Sequence, residues 1–247
     1  MNNSFTAESG LDAKQRLIKA GLEIFGTFNL EGATTRQLAE RAGVNQAAIP
    51  YYFGGKEGLY LAVIEHVITR KASRVRPVLL QVNELLQQKQ LNPEEAVNQI
   101  KTVFGVYLQV LLEDKAATTW ARIIMREQMQ PTKAFHLLYE RWIRHVHETL
   151  AALLAVILQK RPTDPNVILR THMLVGQIQI FLSGRATIRR RVNWEGYDES
   201  ARKQIQTAVF DQLDLFLQPL IQPVPLILQD VANQRADLAN IGVVDAN

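Results

Sequence analysis

The chain of 247 residues contains no cysteine. This absence excludes disulfide bonds, a thiol nucleophile and cysteine-ligated metal sites. A long hydrophobic run is missing too: the longest uninterrupted one, residues 150–158, is far shorter than the roughly 18 residues that a membrane-spanning helix needs. The polar N-terminal sequence MNNSFTAESG lacks the apolar centre of a signal peptide. We therefore expect a cytoplasmic protein with no membrane partner.

The signatures of common enzymes are also missing. The sequence has neither a glycine-rich phosphate loop nor a Gly-x-Ser-x-Gly nucleophile motif. His145 and His147 are two residues apart, so they would lie on different faces of a helix and would not share a metal ion. We expect no enzymatic activity, no metal and no cofactor.

A strong charge of one sign is absent, because the formal net charge is only +4. Residues 1–76 carry ten basic and seven acidic side chains. This local excess suffices for a few phosphate contacts per subunit but is smaller than charge-driven, non-specific binding to nucleic acid requires. If the chain binds DNA, the charge pattern favours sequence-specific readout.

Helical periodicity is present along the whole chain, without an alternating strand pattern or an internal repeat. The fold class predicted is therefore all-α. The expected breaks between helices are Pro77, Asn92 with Pro93, Gln130 with Pro131, residues 161–165 and residues 193–197. A helix from Lys56 to about Arg74 is long enough to connect an N-terminal domain to the rest of the chain.

Residues 34–56, TTRQLAERAGVNQAAIPYYFGGK, predict two short helices joined by a tight turn. Thr34 and Gln37 form a capping-box pattern that begins the first helix, and Gly43 suits its C-terminus. Asn45 can cap a second helix from Gln46 to about Phe53. A three-residue linker of this kind is typical of a helix-turn-helix, whose second helix enters the DNA major groove. The alternative is a helical hairpin buried in an unrelated domain.

The second helix has two different faces. Ile49, Tyr52 and Phe53 lie on one side, and Gln46, Ala47, Pro50 and Tyr51 lie on the other, mostly uncharged side. Pro50 removes the N–H that would bond the Gln46 carbonyl, so this helix is expected to be shortened or partly 3₁₀. The candidate DNA contacts are Thr35, Arg36, Gln46, Ala47, Ala48, Tyr51, Tyr52 and Lys56.

Residues 11–60 resemble the N-terminal domain of tetracycline-repressor (TetR/AcrR) type regulators in the order and spacing of their motifs. The shared features are a first helix ending in Phe25, the Gly32 turn, the TTRQLAERAGV block, the aromatic YYF sequence and Gly-Lys-Glu at the next helix. Residues 122–140 further resemble the CecR-like branch of that family. The resemblance implies a helix-turn-helix domain over residues 1–57 and a helical effector-binding and dimerisation domain over residues 58–222.

The implied function is a homodimeric transcription regulator, a repressor that binds a palindromic operator in double-stranded DNA and is released by a small-molecule effector. A helical ligand-binding or adaptor protein that has lost DNA readout is the alternative, and Pro50 is the residue that argues for it. The resemblance places an effector pocket among apolar and aromatic side chains of the central helices, although packing in a core explains the same residues. The pocket candidates are Phe104, Tyr107, Trp120, Ile124, Met125, Gln128, His136, Tyr139, His172 and Gln177.

Two long helices are predicted near the end of the chain, over residues 165–190 and 199–220, with apolar positions on more than one face. The resemblance implies that they pair with their copies across a two-fold axis, and the alternative is that they pack inside one protomer. The candidate interface residues are Ile168, Val175, Gly176, Val209, Phe210, Leu213 and Phe216.

Two further features are ambiguous. The cluster Arg185, Arg189, Arg190 and Arg191 either forms a second nucleic-acid site or, as we favour, offsets the dipole at a helix C-terminus. Pro219, Pro223 and Pro225 are expected to end the last helix. The remaining tail, residues 223–247, forms either a short additional helix or a disordered segment.

Overall fold

The computed structural model describes residues 4–112 and 117–221, with side chains described for residues 13–112 and 119–221. Within these ranges the chain is helical, which confirms the all-α prediction. The N-terminal helices are α1 Ser4–Thr27, α2 Thr35–Ala42 and α3 Ala48–Phe53, and α4 is Lys56–Gln87. The remaining helices are α5 Pro93–Leu112, α6 Ala117–Met129, α7 Lys133–Leu138, α8 Arg144–Leu158, α9 Pro165–Ser183, α10 Arg185–Val192 and α11 Glu199–Ile221.

The N-terminal domain packs α1, α2 and α3 around the first turns of α4. Leu17, Phe25, Leu38, Ile49 and Leu59 are fully buried at its centre. Helices as short as α2 and α3 are not stable alone. Burial of these apolar side chains stabilises them, because apolar area removed from water contributes about 25 cal/mol per Å². The sequence-based boundary at residue 57 falls at the beginning of α4, whose residues Leu59, Tyr60 and Val63 also belong to this core.

The larger domain is arranged around α8, which packs against α4, α5, α9 and α11. Its buried positions, including Leu150, Leu153 and Leu154, recur at helical spacing and face the surrounding helices. A π-helical turn, Tyr139–Ile143, joins α7 to α8. π-Helical turns are rare and are often found at functional sites, and the side chains of this one border the cavities described below.

Helix α4 corrects the prediction of a break at Pro77, because it continues through this proline to Gln87. A proline inside a helix removes one backbone hydrogen bond and costs about 3 kcal/mol. Val75, Leu79 and Val82 are buried on either side of Pro77, and Asn83 accepts a 3.2 Å hydrogen bond from Thr149 of α8. Tertiary packing therefore outweighs the local preference.

One of the two predicted C-terminal helices also differs from its predicted bounds. The helix expected over residues 165–190 is interrupted at Gly184, which separates α9 from α10. The last helix, α11, agrees with its predicted bounds of 199–220 to within one residue, since it is described as far as Ile221 and includes Pro219. The predicted tail lies outside the described residues. No helix in the described ranges is long and apolar enough to cross a membrane.

Helix α10 has three arginines in its last turn, Arg189, Arg190 and Arg191. The Arg189 side chain donates a 3.3 Å hydrogen bond to the Trp194 carbonyl just beyond the helix. The Arg185 guanidinium lies 4.2 Å from the centre of the Tyr197 ring. The position of Arg189, Arg190 and Arg191 agrees with the favoured interpretation, in which the cluster offsets the dipole at a helix C-terminus, whereas Arg185 is the first residue of α10.

Candidate nucleic-acid interface and internal cavity

The turn between α2 and α3 has the geometry that its sequence predicts. Thr34 Oγ1 accepts a 3.2 Å hydrogen bond from the Gln37 N–H, and the Thr34 N–H donates to Gln37 Oε1 at 3.0 Å. Gly43 has a φ angle of +63°, which residues with a Cβ rarely adopt. The guanidinium of Arg16 in α1 donates to the Gly43 carbonyl at 3.2 Å, so the turn is fixed to the rest of the domain.

The recognition helix α3 begins two residues later than predicted, at Ala48, and its first turn is 3₁₀-like. The N–H groups of Ala48 and Ile49 bond the carbonyls three residues before them, at 2.9 and 3.2 Å. Regular bonding begins at Tyr51, whose N–H bonds the Ala47 carbonyl at 3.2 Å. Pro50 has no N–H to donate to the Gln46 carbonyl, so the Ile49 N–H donates to it instead. This bonding agrees with the expectation of a shortened helix.

The exposed face of α3 carries an aromatic side chain that is largely accessible to solvent. Tyr51 is 81% exposed, and its ring meets the Tyr52 ring edge-on at a centroid distance of 4.8 Å. Gln46, Ala47 and Pro50 are exposed as well, whereas Ala48 and Tyr52 are partly buried. The exposed surface of α3 is thus formed mainly by Gln46, Ala47 and Tyr51. The size and polarity of this surface suit contact with base edges.

A contact that sequence analysis missed orients Gln46. Its Nε2 donates a 2.6 Å hydrogen bond to Thr35 Oγ1 at the beginning of α2. One amide N–H and the amide oxygen remain for a base, and this donor and acceptor pair matches the edge of adenine. No local sequence pattern connects residues 35 and 46, because the bond depends on the crossing of two helices.

The two basic residues among the candidate DNA contacts, Arg36 and Lys56, differ in their surroundings. Arg36 is exposed and pairs with Glu40 one turn later at 2.7 Å, an exposed pair that is worth little. Lys56 Nζ instead donates to the carbonyls of Ala33 at 2.7 Å and Glu31 at 3.3 Å. These bonds hold the loop before α2 against the beginning of α4, and a DNA contact by Lys56 stays a prediction.

Helix α6 holds the N-terminal domain through two consecutive side chains. Arg126 Nη1 donates to the Phe25 and Phe28 carbonyls at the end of α1, at 2.9 and 2.8 Å. Glu127 accepts a 2.7 Å hydrogen bond from the Tyr60 hydroxyl of α4. A Cβ on Gly26 would lie 2.3 Å from the side chain of Thr119, so α1 and α6 approach as closely as they do only because residue 26 is glycine.

The opposite side of α6 borders an inner cavity of about 30 Å³. Five of the predicted pocket residues line it: Tyr107, Trp120, Ile124, Met125 and Gln128. The space is nearly filled by side chains, since one water molecule needs roughly 10–15 Å³. Trp120 is only 5% exposed, and its indole Nε1 is buried without a hydrogen-bond partner, as is Nδ1 of His147.

An outer cavity of about 270 Å³ lies between α8 and α9 and shares Ile143 and His147 with the inner one. Tyr139 and His172, two further predicted pocket residues, line this outer space. The rings of His147 and His172 are 4.5 Å apart. Burial, followed by the neighbouring His172, lowers the pKa of His147 from 6.5 to about 4, so its imidazole is neutral at neutral pH.

The other pocket predictions need correction. Phe104 is fully buried in the core and His136 is exposed, and neither lines these two cavities. Gln177 is partly buried but also lies outside both linings. Sequence analysis missed His147 as a lining residue because its position depends on the π-helical turn that sets the register of α8.

A wider groove of about 550 Å³ lies between α4 and α8 and shares Trp142 and Val146 with the inner cavity. None of the predicted pocket residues lines it. The inner cavity is the better candidate for an effector site, because it is enclosed and holds buried polar atoms that need partners. Clusters of three or more metal-ligating side chains are not found in the part of the chain that the structure describes.

The candidate dimer residues do not share one face. Val175, Val209 and Leu213 are buried within the protomer, so the predicted interface is wrong for these three side chains. Phe210 and Phe216 are partly buried, whereas Ile168 and Gly176 are exposed. The most exposed apolar side chains of α9 and α11 are instead Leu169, Met173, Ile180 and Leu215, at 65, 61, 52 and 73% exposure.

Comparison with known protein families agrees with this geometry. Residues 17–63 match the family of bacterial regulatory proteins of the tetR type. Residues 96–220, about half of the chain, match the C-terminal domain of the HTH-type transcriptional dual regulator CecR. The chain belongs to the TetR family. It is therefore a DNA-binding transcriptional regulator, and its C-terminal domain places it in the CecR branch.

Individual relatives give the same assignment. The HTH-type transcriptional dual regulator CecR of Shigella flexneri is 36% identical over 222 residues, which cover 90% of this chain and 99% of the relative. The HTH-type transcriptional regulator RutR of Escherichia coli K12 is 38% identical over 55 residues, or 22% of this chain and 26% of RutR. This second match is limited to a segment the size of the DNA-binding domain.

Solved structures show the fold of this TetR-family member. A transcriptional regulator from Rhodococcus sp. Rha1 matches with a TM-score of 0.55 at 18% identity, covering 85% of this chain and 99% of the other. A putative fatty acid metabolism regulator from Clostridium perfringens matches with a TM-score of 0.54 at 18% identity, covering 79% and 97%.

Proposed function

We propose that this protein is a cytoplasmic homodimeric repressor that binds a palindromic operator and is released when a small molecule enters the inner cavity. One observation carries the proposal. Helix α6 contributes Trp120, Ile124 and Met125 to the cavity, and its Arg126 and Glu127 hold α1 and α4 of the DNA-binding domain. A ligand that moves α6 therefore changes the position of the recognition helix.

The dimer follows from the exposed apolar stripe of α9. Leu169, Met173, Gly176 and Ile180 are spaced by four, three and four residues, which is the repeat of a helix-packing seam. Exposed apolar side chains in such a row indicate a protein contact. A second copy of the same helix, related by a two-fold axis, is the partner that a palindromic DNA site requires.

Release needs only a modest change of geometry. Two recognition helices must lie about one DNA turn apart, roughly 34 to 36 Å, to occupy successive major grooves. The long α4 and the Arg126 contacts to α1 are the connections through which a change at the cavity alters this spacing. The effector needs only a higher affinity for the conformation with the wrong spacing.

A gel-shift titration with the DNA upstream of the protein's own gene tests the proposal. We expect a complex whose stoichiometry is two protomers per operator, and we expect Tyr51→Ala to abolish it. Arg126→Ala should retain the fold but alter operator affinity, whereas Arg141→Ala, at an exposed arginine of the π-helical turn paired with Glu65, serves as the matched control. Binding of one protomer per site, or full operator affinity in Tyr51→Ala, would contradict the proposal.

A further inference from the structure

The inner cavity has an uncharged lining. Among the described residues that border it there is no Asp, Glu, Lys or Arg. Its two ionisable side chains are both held in their neutral forms: burial raises the pKa of Tyr107, and burial, with His172 as the second cause, lowers that of His147 to about 4. A charged ligand would thus lose its hydration without gaining an opposite charge.

Trp120 supplies a directed hydrogen-bond donor in this lining. An indole Nε1–H can only donate, and in Trp120 it is buried without a partner. Lys71 Nζ lies 4.9 Å from the centre of the Trp120 indole ring and donates to the Val110 carbonyl at 3.3 Å. Lys71 does not line the cavity, and the atom that Trp120 leaves without a partner is a donor without net charge.

His147 and Ile143 separate the inner cavity from the larger outer one. The imidazole of His147 packs against His172 at a ring distance of 4.5 Å, and its Nδ1 has no partner. Since no hydrogen bond holds that atom, a rotation of the side chain would join spaces of about 30 and 270 Å³. The joined space reaches the lower end of the size range of ligand pockets.

The outer cavity differs in that it contains charges, but they are paired. Arg144 forms a 2.9 Å ion pair with Glu140, and Glu148 lies 4.0 Å from its Nε. Arg144 Nε itself is buried without a hydrogen-bond partner. Buried polar atoms without a partner thus occur at three places: Trp120 Nε1 at the inner cavity, His147 Nδ1 at the boundary and Arg144 Nε at the outer cavity.

We infer, on the basis of the proposed function, that the effector is an uncharged, mainly apolar or aromatic molecule with a hydrogen-bond acceptor. The acceptor binds Trp120 Nε1, and the apolar part occupies the space opened by His147. The selectivity of the site lies in this buried donor together with the absence of charge in the lining of the inner cavity, which also includes the amides of Gln128 and Gln179. Apolar contact alone does not distinguish an acceptor from an isosteric hydrocarbon, whereas a buried donor does.

Three probes of nearly equal shape test this assignment by calorimetric titration of the full chain without DNA. They are 2-acetylnaphthalene, which is neutral and has an acceptor, 2-isopropenylnaphthalene, which is neutral without one, and the anion 2-naphthoate. We expect the ketone to bind about tenfold or more tightly than the alkene, because only the ketone satisfies the buried donor. The carboxylate should bind more weakly than the ketone.

Variants locate the effect. Trp120→Phe keeps an aromatic ring but removes the donor, so it should bind ketone and alkene equally. Trp194→Phe is the matched control, since Trp194 packs against Tyr197 beyond α10 and does not line the cavity. A preference for the ketone that survives in Trp120→Phe, a carboxylate that binds most tightly, or no binding of any probe at its solubility limit would overturn the inference. The probe series on the unaltered protein remains decisive if Trp120→Phe fails to fold.

A gel shift with the same probes separates this inference from the proposed function. Trp120-dependent binding of the ketone without any effect on operator affinity would support the ligand class and contradict ligand-induced release. Release of the operator by the carboxylate but not by the ketone would support release and overturn the ligand class. Release by the ketone that is lost in Trp120→Phe and kept in Trp194→Phe supports both.

Discussion

Tyr60 of α4 and Glu127 of α6 form a buried hydrogen bond of 2.7 Å between the DNA-binding domain and the effector domain. The two residues are 2% and 1% exposed. Thr132 satisfies the same carboxylate from the other side, donating its N–H and its hydroxyl at 3.0 Å. Burial, followed by the bond to Glu127, raises the pKa of Tyr60. The Tyr60 hydroxyl therefore stays protonated and able to donate at physiological pH.

Removing the Tyr60 hydroxyl should weaken the joint. Tyr60→Phe leaves the Glu127 carboxylate with Thr132 alone, and a hydrogen bond to a charged group is worth about 1.5–3 kcal/mol. We expect the free energy of unfolding in urea to fall by that amount. Tyr139→Phe, at an exposed tyrosine of the π-helical turn, is the control and should change little. Equal stability of the two variants would mean that the bond contributes nothing to folding.

Sequence-specific readout should depend on Gln46 and on its partner Thr35. Gln46→Ala should relax the preference at one position of each half-site by about 1–3 kcal/mol. Thr35→Val should give part of this effect, because it leaves the Gln46 amide in place without the 2.6 Å bond that orients it. Binding profiles over randomised operators measure both, with Thr102→Val on the exposed part of α5 as control. Superimposable profiles for wild type and Gln46→Ala would remove this residue from the base contacts.

Arg36 and Lys56 should respond differently to replacement by alanine. Arg36→Ala should weaken binding to all sequences alike and reduce the salt slope by about one unit per contact removed in each subunit. Lys56→Ala should instead lower the thermal stability of the protein, because the Ala33 and Glu31 carbonyls lose their donor. Salt titrations of operator binding and thermal melts of both variants distinguish the two roles. A Lys56→Ala variant with unchanged melting and a reduced slope would show instead that Lys56 contacts phosphate.

The sequence predicted what local chemistry determines. The capping box at Thr34, the left-handed Gly43 and the 3₁₀-like start of α3 before Pro50 each depend on residues within a few positions of one another, and the structure contains all three. It did not predict contacts that join distant elements. The bonds of Gln46 to Thr35 and of Lys56 to Ala33 form only when helices cross, and periodicity does not show which side chains will meet.

The same limit explains the errors in the larger domain. Pro77 is a helix breaker by local preference, but α4 continues because Val75, Leu79 and Val82 are buried against its neighbours. Apolar periodicity identified α9 and α11 correctly as helices with more apolar surface than one core needs. Periodicity could not show which of these apolar residues are buried in the protomer and which are exposed, because that depends on the rotation of each helix about its own axis.

Stability should depend on pH through His147. Its pKa is lowered by burial and by His172 to about 4 in the folded protein, whereas an unfolded histidine titrates near 6.5. Between these values the unfolded chain binds more protons, so stability falls as pH decreases through this window, by up to roughly 3 kcal/mol at the lower end. Burial, followed by Arg70 and Lys19, also lowers the pKa of His66, which adds a loss of the same sign.

Urea unfolding at pH 7 and pH 4.5 measures this loss. His147→Gln should lose less stability than wild type between the two pH values, because its side chain does not titrate. His145→Gln, at an exposed histidine two residues away on the same helix, should behave like wild type. If the two variants lose equal stability, His147 is not the group responsible.

Dimer assembly should depend on the exposed stripe of α9, because a single recognition helix reads too few bases to find one site in a genome. Met173 and Ile180 are exposed in the protomer, so a charge at either position leaves the protomer fold intact. In a two-fold interface the same charge occurs twice, buried and without a partner. Met173→Asp and Ile180→Asp should therefore sediment as folded monomers at micromolar concentration and lose operator binding.

Leu80→Asp, at an equally exposed apolar residue of α4, should remain a dimer that binds DNA. Val209→Asp should unfold the protein instead, since Val209 is 3% exposed in the core between α11 and its neighbours. A dimeric, operator-binding Ile180→Asp would place the interface on another face.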